Sequence, residues 1–251
     1  MTTPSPASIR LPLFYEAIEA LRTDHHARVG VRDGIGYGFA RPTNAIPLVR
    51  DEFAIAQAHY PIVFGPPDMP EAYAAVGLRE RENLMVTADG GWLPGSYVPA
   101  YIRRYPFIFG TLAGSEQYHL CAERGALAPL GGGAGQPLFI AGQPSPVTQE
   151  ALRICTAYQQ QYQDTTDFVT ALHTGGVLAE RTVNAVVNTA EGPQSLTLEG
   201  VWVVDEAAFN ALPDEVFLDW RRRGWIGLVY AHLLSMPRWV ALNDRLSAVL
   251  S

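Results

Sequence analysis

One stretch of this chain announces its conformation in full, and the remainder has to be built around it. Ser145-Pro146 is a helix start, a capping side chain followed by proline at the first helical position, where a missing N–H costs nothing. Val147, Ala151, Ile154, Cys155, Tyr158 and Tyr162 then recur at helical spacing, while Gln149, Arg153, Gln160 and Gln161 occupy other faces. A second, short helix is predicted over Phe168–Thr174, stopped by Gly175-Gly176.

No other segment carries so clear a helical pattern. Residues 1–45 mix proline, glycine and polar residues around one strand-like stretch, Val29 to Ala40, which its glycines weaken. Pro47 to His59 reads as helix, with Asp51 and Glu52 in its first turn, and Tyr60 to Phe64 as a buried strand. Short strands are predicted at Tyr73–Leu78 and Asn83–Thr87, with a hairpin turn at Asp89-Gly90-Gly91, and then at Pro106–Leu112, Gln117–Ala122 and Pro137–Ala141. Gly131 to Gly135 reads as a loop.

Arg181–Val187 and Ser195–Val204 suggest a hairpin, the second strand alternating apolar with polar residues. Asp205 caps a short helix, Pro213-Asp214-Glu215 starts another that ends in Arg221-Arg222-Arg223-Gly224, and Trp225 to Leu250 is helical with a break near Ser235. The expected fold class is α+β: short antiparallel strands and hairpins with several helices packed around one core. Residues 1–45 are read as a partly irregular N-terminal segment and residues 46–251 as a single domain.

Composition narrows the function classes. A 251-residue chain that is 48% hydrophobic and 17% charged has the makeup of a globular protein. Its net charge of -7 gives no general attraction to nucleic acid or to anionic membranes. All 18 basic residues are arginine, so neither a Schiff-base lysine nor a phosphate-loop lysine exists. No apolar run approaches the roughly 20 residues that cross a bilayer, so no membrane insertion is expected. Cys121 and Cys155 are too few for a disulfide scaffold, and with no secretion signal at the N-terminus the expected location is cytoplasmic.

Catalytic and metal motifs are sparse. The glycine run is followed by no GK[ST], the six histidines show no HxxxH or HxH pairing, and no G-x-S-x-G elbow occurs. Neither metal nor cofactor is expected. Both cysteines are read as packing residues. The richest segment is Asn83 to Phe107, where Trp92, Tyr97 and Tyr101 lie close in sequence to Arg103 and Arg104. Planar cations beside rings suit a carboxylate, a peptide or a ring-bearing ligand. The alternative is that the rings fill the core and the arginines pair with acids. The candidate ligand-binding residues are Asn83, Trp92, Tyr97, Tyr101, Arg103, Arg104 and His232, the last set between apolar neighbours and followed by Ser235.

Several of these blocks together resemble the SapC proteins of bacteria: Pro47-Leu-Val-Arg-Asp-Glu-Phe53, Glu82-Asn83-Leu84, Gly90-Gly91-Trp92, Tyr97-Val-Pro-Ala-Tyr-Ile-Arg-Arg-Tyr-Pro-Phe107 and Tyr230-Ala-His-Leu-Leu-Ser235. The resemblance covers nearly the whole chain and implies a bacterial protein associated by name with surface-layer genes. It brings no catalytic residues with it. Three functions follow as expectations: a binding or accessory protein recognising a peptide, protein or small ligand; an enzyme of unrecognised type acting on a peptide or aromatic molecule; or a structural subunit.

Overall fold

The computed structural model describes residues 11–111, 117–131, 135–190 and 192–250. In chain order its elements begin with β1 (Ile18–Ala20), β2 (Val29–Val31), β3 (Ala45–Leu48), α1 (Phe53–Ala56), β4 (Ile62–Phe64), β5 (Ala72–Ala75) and α2 (Ala100–Arg103). There follow β6 (Phe107–Thr111), β7 (Tyr118–Glu123), β8 (Leu127–Pro129), β9 (Gln136–Pro137), β10 (Phe139–Ile140), β11 (Gln143–Pro144) and α3 (Pro146–Thr174). The chain continues through β12 (Leu178–Thr189), β13 (Gly192–Val204), α4 (Glu206–Asn210), α5 (Asp214–Arg222), α6 (Trp225–Ser235) and α7 (Arg238–Leu250). The fold is α+β, built from several small antiparallel sheets and helices. Gly132 to Ala134 of the expected glycine loop lie outside the described residues.

Two compact units divide the chain. Residues up to Ile35 together with Arg104–Cys155 form the first, and Gly36–Arg103 with Thr156 onward form the second.

In the first unit β6 and β7 pair in the register Phe107↔Ala122 and Ile108↔Cys121, so neighbouring residues face opposite sides. One side joins Phe107, Ala122, Leu127 and Leu138 to Ala151 and Cys155 at the start of α3. The other joins Ile108 and Cys121 to Tyr15, whose hydroxyl donates to the Phe107 carbonyl at 2.7 Å. Both cysteines are buried and unbridged, one on each side, and each packs as the sequence suggested. Strand β2 runs between β8 and β9, and at Gly30 a Cβ would meet the Gln136 carbonyl oxygen at 2.6 Å, which explains glycine there.

The second unit holds a five-stranded sheet in the order β12-β13-β4-β5-β3. The residues Ile46, Leu48, Ile62, Phe64, Ala72 and Ala74, which alternate along β3, β4 and β5, are at most 2% exposed. Their side of the sheet meets an aromatic core in which Phe64 touches Phe53, Phe168 and His232.

Some elements differ from the expectations. The two helices predicted over 147–174 are one helix, in which the Thr165 and Thr166 hydroxyls donate to the Gln161 and Tyr162 carbonyls and so do not compete for backbone N–H groups. Pro47–His59 begins as strand β3 and turns helical only after a short 3-10 turn at Arg50–Glu52. Asn83–Thr87 holds no strand, only a bridge from Val86 to Trp92. Strand β1 lies in the segment expected to be partly irregular.

Candidate functional site

The conspicuous arginine and aromatic block of the second unit is organised by a carboxylate outside it. Glu52 folds back from its 3-10 turn and accepts hydrogen bonds from the Val49 N–H at 3.0 Å, the Ala100 N–H at 2.6 Å and the Tyr97 hydroxyl at 2.8 Å. It is 4% exposed. Burial raises its pKa above the usual carboxylate range, while the three donors and the nearby Arg103 charge act in the other direction. Tyr97 is pushed up to about 12, first by burial and then by the negative charge of Glu52.

The Tyr97 hydroxyl also accepts from Arg103 Nη2 at 3.1 Å, and Arg103 Nε donates to the Val98 carbonyl at 3.1 Å. The guanidinium carbon lies 5.7 Å from the Tyr97 ring centroid. Behind this pair, Trp92 Nε1 donates to the Tyr60 hydroxyl and to the Tyr97 carbonyl, and Tyr60 in turn donates to that same carbonyl. The network therefore joins Trp92, Tyr97 and Arg103 with Glu52 and Tyr60. Arg103 is its exposed member.

The remaining candidates, Asn83, Tyr101, Arg104 and His232, are all buried. Asn83 is buried and ties backbone, donating to the Ala40 carbonyl and accepting from the Met85 N–H. Tyr101 is 6% exposed, with its ring edge-on to Tyr158 at 5.8 Å. Arg104 belongs to the first unit and is buried; its charge opposes the burial that pushes the Cys155 thiol up to about 11.

His232 is fully buried in α6 and works as part of the sheet. Strands β4 and β13 meet in the pair Trp202↔Phe64, and in antiparallel register the next opposed residues on this side are Val204 and Ile62. There the imidazole is inserted between them: its Nδ1–H donates to the Ile62 carbonyl at 2.7 Å, and its Nε2 accepts from the Val204 N–H at 3.0 Å. Ser235, one turn on, accepts from the Ile62 N–H at 2.8 Å and donates to the His232 carbonyl. The two partners require a neutral ring protonated at Nδ1, and burial lowers its pKa to about 4.

A cleft of about 220 Å³ opens farther along the same seam. It is lined by Ala45, Val63, Tyr73 and Ala75, which share the sheet face opposite to the aromatic core, and by Gly200 and Trp239 among others. None of the candidate residues named from the sequence lines it. Among the described residues no cluster of three or more His, Cys, Asp or Glu could hold a metal, and no helix is long and apolar enough to cross a membrane.

The architecture and the site together define an α+β protein whose buried polar side chains close its backbone, beside an open cleft and an exposed, braced arginine. The chain belongs to the SapC family, whose model matches residues 21–242. No curated protein and no solved structure matches it.

Proposed function

We propose that this protein is a binding or accessory protein that recognises a carboxylate-bearing ligand, a peptide terminus or a small aromatic acid, through Arg103 and the ring of Tyr97. The supporting observation is the way Arg103 is held. Its guanidinium is exposed, yet the Val98 carbonyl and the Tyr97 hydroxyl fix its plane, and Tyr97 is itself fixed by buried Glu52. A planar donor pre-set in this way loses little side-chain freedom on binding a carboxylate. The two free cysteines accord with a reducing, cytoplasmic setting, in which the protein would assist the handling of surface proteins.

A thermal-shift screen with carboxylate-terminated peptides and aromatic acids tests this reading. A ligand at about 100 times its dissociation constant adds roughly 2.7 kcal/mol to folding stability. The expected result is a shift in the wild-type protein that Arg103→Ala removes. No shift with any acid, or equal shifts in the two proteins, overturns the reading.

A further inference from the structure

Strand β13 has two unlike edges. On the side of β12 the hairpin is finished: the outer edge of β12 meets α7, where Asn243 Nδ2 donates to the Val186 carbonyl, the Asn188 N–H donates to Ser247 Oγ and the Ala190 N–H donates to the Leu250 carbonyl. On the other side β4 provides the single pair Phe64↔Trp202 before the chain turns away at Gly65-Pro66. Among the described residues, no strand neighbours Gly192–Gly200 on that side.

The cleft adjoins this open edge and is lined by Leu198, Glu199 and Gly200 from it. Its volume of about 220 Å³ is below the roughly 300–1,000 Å³ of pockets for whole drug-sized ligands, and suits one anchoring side chain instead. The lining includes no arginine or histidine, and the chain has no lysine. It does include the Glu199 carboxylate and the rings of Tyr73 and Trp239, with exposed Asp68 in the loop between Pro66 and Met69. A carboxylate with aromatic faces is the chemistry that receives an organic cation.

We infer that the β13 edge and its cleft form a docking site for an extended peptide that pairs with Gln194–Leu198 and places a basic side chain beside Glu199, Tyr73 and Trp239. Strand addition of this kind takes affinity from main-chain hydrogen bonds and specificity from the side-chain pocket. A second copy of the chain fits the same edge poorly. Strand β13 carries no basic residue, so the same edge of a second copy brings no cation to meet Glu199.

The test is a fluorescence-anisotropy titration with a short Thr/Val peptide blocked at both ends and bearing one central arginine. Having no carboxylate, it does not report on the Arg103 site. Three comparison peptides are used: one carries leucine in place of arginine, and two keep the arginine but have alternate backbone nitrogens methylated, one in each of the two possible phases. The expected result is saturable binding that weakens about tenfold with the leucine peptide and with the Glu199→Gln variant, and that one methylation phase abolishes. Equal binding of both methylated peptides, equal binding of the leucine peptide, no saturation up to about 1 mM, or loss of binding in Arg103→Ala overturns it. A concentration-dependent dimer whose formation the arginine peptide does not compete away assigns the edge to a second copy and overturns it as well.

Discussion

The seam between β4 and β13 is closed at one end and open at the other, and the two ends handle the same physical problem differently. Each presents backbone N–H and C=O groups at a place where two strands have begun to part. At the Ile62 and Val204 end, an imidazole and a hydroxyl from α6 complete the hydrogen bonds inside the core. At the Phe64 and Trp202 end, the strands diverge into a cleft and toward a solvent-facing strand edge. Buried backbone groups must be satisfied within the protein, whereas exposed ones can wait for water or for a partner. Polar side chains thus satisfy the backbone at the closed end, while the open end leaves a strand edge beside a cleft. Substitutions at the two ends should separate in the same way, stability from binding.

The largest effect is expected from His232→Ala. It removes the groups that satisfy the Ile62 carbonyl and the Val204 N–H, and it leaves a void against Phe64. Two orphaned backbone groups and a cavity together cost about 4 kcal/mol. Urea unfolding measures this directly through the midpoint at constant slope. A loss below about 1 kcal/mol would mean that the seam does not need the imidazole.

Acidification attacks the same end without a mutation. The folded-state pKa of His232 is lowered to about 4 from an ordinary 6.5, so the unfolded chain binds the extra proton between those values. The contribution is fully present above pH 6.5 and is lost as pH falls toward 4. The shift corresponds to about 3 kcal/mol. Unfolding free energies across that window should fall more steeply for the wild-type protein than for His232→Gln, whose amide offers a donor and an acceptor but does not titrate. Parallel slopes would remove His232 from the account of acid stability.

The closed end and the open end also differ in how far they could be read from the sequence. Local chemistry was legible: Asp205 caps α4 by accepting from the Ala208 N–H, and the predicted break near Ser235 falls between α6 and α7. Tyr97 and Arg103 stood out as a ring beside a cation, and they do touch. Glu52 did not stand out, because two of its donors lie 45 and 48 residues away and only folding brings them to it. The same distance hid the role of His232, whose strand partners are 170 and 28 residues away in sequence. Asn83–Thr87 looked like a strand because its side chains are apolar at the right positions, yet the Asn83 amide occupies backbone groups that a ladder would need. The cleft was the least legible feature. Small residues such as Ala45, Ala75 and Gly200 create it by what they lack, and no spacing rule records an absence.

The smallest stability effects are expected at the open end. Glu199 is exposed, so Glu199→Gln should change unfolding free energy by no more than about 0.5 kcal/mol. Gly200→Ala should cost about 1 kcal/mol, because Gly200 has a φ of +73°, although an added Cβ would meet nothing within 4 Å. That cost is conformational and comes from the backbone, with the surrounding space left empty. Circular dichroism melts of the two variants beside His232→Ala would therefore rank them Glu199→Gln, Gly200→Ala, His232→Ala in increasing damage. If Gly200→Ala instead approached His232→Ala, the two ends of the seam would share one structural role, because an open cleft cannot transmit a loss of that size.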